Sequence, residues 1–422
     1  MFKKTILASA IVLASITGPV NATVSDQAFA ELRAEFAALA KRLNSLESEN
    51  TALRQLNQET IKDVNFGKQQ LAGLQTREFK SSWTDSIKLK GDFRSRYENI
   101  DEEGKDDRDR NRIRARAVLV ARLPTDVEVG LGVASGGDDP VSTNQTLGGG
   151  GSTKDLRLDL AYANWQPMEG LNIIGGKFKN VWYRPQKNGL IFDGDFNPEG
   201  VGLVYKKDWF FANVAGTWLE SDTKRPNSSY SWGGQLGFEG TVAGARVAAG
   251  GGYYNLDTQG NESFFGDDDD FFGNSFECSD PNDLGSCVYE FDYKLIQVFA
   301  DISMNIGDMP VSLFADYVVN DDADDNDTGY AVGVKLGKAR TAGSWQAAYT
   351  YQDLEADAVL GLLTDSDFGG GGTDVKGHKF QGKYAINKQW AVGFTYFLNE
   401  IEGNVGNKHD YDRLMIDTQF KY

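Results

Sequence analysis

Arginines recur at every second position in two neighbouring stretches: Arg94 and Arg96, then Arg112, Arg114 and Arg116. Like charges this close repel, so the row needs counter-charges or water. Two sources of counter-charge are visible. Asp92 and Glu98 lie beside the first pair and could simply neutralise the row. The segment Asn180 to Gly200 carries Asp193, Asp195 and Glu199; folded opposite the arginines, it would set acid against base across water, with a transverse field between them. Such a pair of walls makes and breaks no covalent bond. It sorts small charged solutes.

The other reactive side chains are sparse. The two histidines are His378 and His409, and neither accompanies a nucleophile motif, which argues against a hydrolase. Cys278 and Cys287, the only cysteines, are expected to form a disulfide in an oxidising compartment. Asp267 to Asp270 and Asp321 to Asp327 are acidic runs. Asp322, Asp324 and Asn326 begin like a calcium loop, but Asp327 stands where Gly is needed and Gly333 where Glu is needed. The runs therefore read as solvated surface, with loose divalent binding as the alternative. No metal site or cofactor is expected, and a net charge of −18 excludes a nucleic-acid partner.

What must position the arginines is a strand. In Arg110 to Leu123, Ile113, Ala115, Ala117, Leu119, Ala121 and Leu123 fall on one face at period two. Arg112, Arg114, Arg116 and Arg122 fall on the other, with Val118 and Val120 between them. A helix would smear these charges around its circumference, so the strand reading wins. The pattern holds from Ile87 to Tyr422. Leu156, Leu158, Leu160 and Tyr162 are expected on one face against Arg157 and Asp159; Ile296, Val298, Ala300 and Ile302 oppose Gln297 and Asp301.

Short connections such as Pro124-Thr125-Asp126 alternate with long polar ones, among them Gly136 to Asp155, Asp257 to Tyr289 and Glu355 to Gly377. Aromatic residues gather near strand ends, as in Trp209-Phe210-Phe211, Trp390, Phe420 and Tyr422. About sixteen runs, each apolar on one face and polar on the other, predict an all-β membrane protein, a sixteen-stranded antiparallel transmembrane barrel over 87–422. So many strands imply an open lumen. Within it, Asn180 to Gly200 is expected to fold inward, because Val181, Trp182, Tyr183, Leu190, Ile191, Phe192 and Phe196 are too apolar for an exposed loop. Gly130, Gly132 and Ala134 offer it room along the wall.

Before the barrel, 1–22 reads as a secretory signal. Lys3 and Lys4 precede a short apolar run, and Val20-Asn21-Ala22 is a small-residue cleavage site. Over 23–75 a helix is expected. Phe29, Leu32, Phe36, Leu39, Leu43, Leu46, Asn50 and Leu53 form an a/d seam spaced three and four apart, the signature of a coiled coil. Residues 76–86 read as a linker.

Together, the signal, the heptads, the strand pattern, Gly176-Lys177-Phe178-Lys179 with Phe192 to Gly200, and the last strand ending in Tyr422 resemble the putative porin family of Gram-negative outer membranes. The resemblance covers nearly the whole chain. It implies a homotrimer of water-filled channels for small hydrophilic solutes, embedded in outer-membrane lipid and lipopolysaccharide. It also implies a periplasmic coiled coil and a last strand that barrel-assembly machinery reads. A solute- or anion-selective channel, a hydrolase and a surface adhesin remain as alternatives. General enterobacterial porins lack the coiled coil and carry a different constriction motif.

Overall fold

The computed structural model describes residues 26–75, 86–222 and 228–422. The expected signal and all of the expected linker except its last residue lie outside the described residues. The N-terminal unit is a single helix, α1 (Asp26–Gln75), built mostly from strong helix formers with no glycine before Gly67. Along its seam Leu39, Leu43, Leu46 and Leu53 are exposed in the single chain.

The second unit is a closed antiparallel barrel of sixteen strands. These are β1 (Ile87–Glu102), β2 (Arg108–Leu123), β3 (Val127–Ser135), β4 (Leu156–Met168), β5 (Leu171–Lys177), β6 (Glu199–Lys207), β7 (Phe210–Glu220) and β8 (Ser229–Val242). They continue as β9 (Ala245–Leu256), β10 (Tyr293–Ile306), β11 (Met309–Asn320), β12 (Thr328–Gly337), β13 (Trp345–Leu354), β14 (Val375–Ala385), β15 (Trp390–Ile401) and β16 (His409–Lys421). Each strand pairs with the next, and β16 pairs with β1. The seam ends where Gly91 and Tyr422 exchange backbone hydrogen bonds of 3.0 and 3.1 Å. No edge remains unpaired, which a chain crossing hydrocarbon requires.

The outer face follows the alternation. Leu119, Leu131, Val298, Leu313 and Ile416 point outward and are about half exposed. Exposed aromatics form two belts. Trp165, Trp209, Trp345, Trp390 and Tyr422 lie at the short-turn end, and Trp218, Tyr230, Trp232, Tyr317 and Tyr330 at the long-loop end. Rings of this kind suit the headgroup level. Phe211 departs from the expected cluster: it turns inward, is buried, and stacks under Tyr183.

Strand β4 corrects the expected phase. Leu156 and Leu158 are exposed, but Leu160 is 2% exposed, and the Tyr162 hydroxyl donates to inward-facing Glu128 at 3.1 Å. The cause is a bulge: Leu160 pairs with Gly132 and Leu158 with Val133, which leaves Asp159 without an opposite residue. One extra residue shifts every later side chain to the other face. Leu160 and Tyr162 therefore fill the space over Gly132 and Gly130 that the inward loop was expected to use.

Three loops fold into the long-loop half of the lumen: 178–198, 257–292 and 355–374. The last two were expected to be polar. Instead Leu190, Ile191 and Phe192 of the first, Phe271 and Tyr289 of the second, and Val359, Leu360, Leu362 and Leu363 of the third share one buried cluster. The inward faces of β9 to β13 complete it through Tyr254, Leu295, Val318, Ala331 and Leu354. Each large side chain buried this way contributes roughly 1.5–3 kcal/mol relative to exposure. The Asn274 amide ties the second loop to the third, donating to the Ala356 and Val359 carbonyls and accepting from Gly361 N–H, all at 2.7–2.8 Å.

Cys278 and Cys287 are disulfide-bonded. They close a small hairpin, Phe276–Cys278 against Cys287–Tyr289, inside loop 257–292.

Candidate functional site

The β1–β2 register places Arg94 opposite Arg114, Arg96 opposite Arg112, Asp92 opposite Arg116 and Glu98 opposite Arg110. Directly opposed residues share a face, so all five expected arginines stand together on the inner wall, interleaved with Asp92 and Glu98. Strand β16 adds Arg413 and Asp417 to the same face.

Loop 178–198 crosses the lumen to meet this wall. Its near end is fixed on the opposite strands. Tyr183 stacks between Phe211 and Phe299 at 5.3 and 5.2 Å, its N–H donates to Gln235 at 2.7 Å, and Asn188 donates to Asp316 at 2.9 Å. The wall beneath is β7 to β11, not Gly130, Gly132 and Ala134. The far end delivers Asp195, which accepts from Arg116 at 2.7 Å and Arg114 at 3.3 Å. Asp92 holds the same two arginines from below at 2.7 and 3.0 Å.

Acid and base were expected to face each other across water; here they touch. Arg96 and Arg114 keep 4% and 6% exposure, and a desolvated guanidinium is stable only with direct partners. The bland pairing with Asp92 and Glu98 and the loop pairing with Asp195 coexist.

Sequence reasoning missed the second acidic loop. Asp367 in 355–374 meets Arg413 at 2.9 Å and Arg96 at 3.1 Å, while Asp365 pairs with Lys379 at 2.6 Å. A signal was present. Ile191-Phe192-Asp193-Gly194-Asp195 and Leu362-Leu363-Thr364-Asp365-Ser366-Asp367 both set two carboxylates one residue apart just after an apolar pair. The loops also hydrogen-bond to each other, Asp193 N–H to the Leu363 carbonyl at 2.7 Å and Asp365 N–H to the Gly189 carbonyl at 3.2 Å. Arg110 and Arg413 were missed as well.

The remaining expected residues lie elsewhere. Glu199 pairs with Lys177 at 2.8 Å across β5 and β6, one wall away from the arginines. Asp193 turns toward loop 355–374, accepting from Ser366 N–H at 3.4 Å. His378 shares a 2.9 Å hydrogen bond with Tyr349. His409 opens β16 and contacts Glu102 at 3.1 Å. Asp322 pairs with Lys294, and no cluster of ligands able to hold a metal occurs among the described residues.

Burial alone would raise every carboxyl here. Arg114 and Arg116 overcome that at Asp195, and Arg413 and Arg96 at Asp367, holding both below the ordinary carboxylate range. Asp193 goes the other way: burial, then the negative charges of Asp365 and Asp195, push it up to about 8. A raised acid favours its neutral form, so its contribution to the loop contact is complete below its ordinary value and is lost as pH rises through about 8. Open-channel noise is therefore expected to grow between pH 7 and pH 9, with Arg184, Lys379 and Asp367 as fixed charges nearby. Asp193→Asn should flatten that rise. An identical pH response in the variant would remove Asp193 from the contact.

Open space flanks the wall. A cavity of about 520 Å³ on the long-loop side is lined by Arg110, Arg112, Arg413, Asp139 and the glycine run 369–372. Another of about 510 Å³ reaches Asp195, Asp159, Lys177 and Glu199.

With this geometry in place, the sequence profile described as putative porin matches residues 99–265 and 286–422. The chain belongs to that family. The stretch between the two matches, 266–285, carries Cys278 and the acidic run at Asp267. A high-pH structure of OprB from Pseudomonas putida is similar at 14% identity, covering 80% of this chain and 95% of that one, with a TM-score of 0.55. OmpF of Salmonella typhi in complex with daunomycin follows at 13% identity, 81% and 99% coverage and a TM-score of 0.48. OmpT of Vibrio cholerae in trimer form gives 13% identity, 80% and 100% coverage and a TM-score of 0.46. No curated protein sequence matches the chain. Membership and the closed barrel together place this porin in the outer membrane.

Proposed function

We propose that this porin passes small hydrophilic solutes and ions by diffusion, through a constriction where Asp195 and Asp367 meet the arginine wall. The observation that carries the reading is the combination of an apolar outer belt with cavities lined by charged residues inside the same barrel, on either side of one ring of ionic side chains. Nothing in the lumen pairs a histidine with a nucleophile among the described residues, so a channel accounts for the site better than a hydrolase. Reconstitution into planar bilayers tests it. Discrete, salt-dependent conductance steps are expected, and a pure preparation that gives none sinks the proposal.

The exposed leucine seam of α1 supports a periplasmic coiled coil, and with it a homotrimer set in outer-membrane lipid and lipopolysaccharide. Apolar a/d residues need a partner helix. The last strand, closing on β1 and ending at Tyr422, is the segment that barrel-assembly machinery would read. Mass measurement in mild detergent should return three chains. A persistent monomer at native-like lipid ratios would remove the assembly half of the proposal.

A further inference from the structure

The arginines of the wall are not equivalent. Arg114 and Arg116 are each held by two carboxylates, Asp92 and Asp195, at 2.7–3.3 Å. Arg96 has Asp417 at 2.7 Å and Asp367 at 3.1 Å. Arg94 and Arg112 have no such partners. Their nearest carboxylates are Asp417 at 3.9 Å and Glu98 at 3.6 Å. Glu98 is already shared with Arg96, Arg110 and Arg413. In this upper part of the wall five guanidiniums, those of Arg94, Arg96, Arg110, Arg112 and Arg413, meet three carboxylates, those of Glu98, Asp367 and Asp417.

What Arg94 and Arg112 do share is Asn144 of loop 136–155. Arg94 donates to its side-chain oxygen and Arg112, at 3.5 Å, to its backbone carbonyl. A neutral amide therefore stands where the pattern of the wall would put a carboxylate. The Nε atoms of both arginines are buried and have no hydrogen-bond partner among the described residues. A buried guanidinium nitrogen without a hydrogen-bond partner is costly, and the planar fork of an arginine matches an oxyanion well. Arg112 also lines the 520 Å³ cavity on the long-loop side, so an anion can reach it from outside. The opposing charges there are Asp139, Asp106 and Glu102, the last already engaged by Lys105 and His409.

We infer that Arg94 and Arg112, beneath Asn144, form a binding site for a carboxylate or phosphate group on a solute in transit. The inference rests on the channel reading and gives that channel a solute class: small organic acids or phosphorylated molecules. Arg114 and Arg116, by contrast, serve as a lock between wall and loop.

The test is single-channel current in potassium chloride with inorganic phosphate, and in parallel succinate, added to the side of the long loops. Either anion should block the current at concentrations well below that of chloride. Phosphate acting alone would point to phosphorylated solutes, and succinate acting alone to organic acids. Losing one charged hydrogen-bond partner should weaken the block about tenfold or more, so Arg112→Gln should do this. Asn144→Asp should do the same while keeping both arginines, because the new carboxylate occupies the site, and it stays informative if the arginine variant fails to assemble. Arg122→Gln, at an exposed arginine near a short turn, should block like the parent. A channel that conducts but shows no block, or whose block is unchanged by Asn144→Asp, overturns the site alone. Absence of current overturns the channel reading instead.

Discussion

Deleting Leu190 to Phe196 should raise single-channel conductance several-fold while leaving the barrel closed. The segment supplies Asp195, the only part of loop 178–198 bonded to the arginine wall, and three side chains of the buried cluster. Its loss also removes the Asp193 N–H that donates to the Leu363 carbonyl of loop 355–374. Each large apolar side chain removed forfeits roughly 1.5–3 kcal/mol of burial, so the second acidic loop should loosen as well. None of the deleted residues belongs to a strand, and the sixteen-strand ladder does not depend on them. Conductance in planar bilayers reads the outcome. An unchanged step size would mean that the conducting path does not run between Asp195 and β2.

Replacing Arg112, Arg114 and Arg116 together by Ala should move the reversal potential in a salt gradient strongly toward cations. The change does more than remove positive charge. Asp92 and Asp195 lose both of their guanidinium partners and become free carboxylates in the lumen, and breaking a largely buried pair from one side costs about 3–5 kcal/mol. Asp195→Asn should act with the opposite sign, leaving Arg114 and Arg116 with Asp92 as their one carboxylate and favouring anions. The same contact has an acid limit. Asp195 lies below its ordinary value because of Arg114 and Arg116, so its contribution is present above the ordinary carboxylate range and is lost as pH falls below that range through the lowered value. Conductance should therefore rise below about pH 4. Reversal potentials unchanged by the triple substitution would take these arginines out of the path.

The barrel and the arginine face were legible because lipid on one side and water on the other impose a strict period of two. Arg112 and Leu119 obey it without interruption. Leu160 and Tyr162 could not be placed, since a bulge at Asp159 leaves no mark in the alternation except the residues it misassigns. Loop 178–198 was read as inward from Trp182 and Ile191-Phe192, yet the wall it packs on was not, because that depended on the bulge. Loop 355–374 was passed over as polar. Its charged ends outvoted Ala358-Val359-Leu360-Gly361-Leu362-Leu363, a run that has no business in water. Ion pairs such as Arg413 with Asp367 join residues that only barrel closure brings together.

The shared cluster of the three inward loops also dictates an order of events during assembly. Its members run from Leu190 to Leu363, so it joins segments whose relative positions are set by strands β5 to β13. None of these contacts can be gained before that stretch of wall is in register, and the entropy of closing such long loops is spent before they return anything. Loop packing is therefore expected as a late step on the lumen side, after β5 to β13 have paired. Until then the apolar ends of β9 to β13 face water.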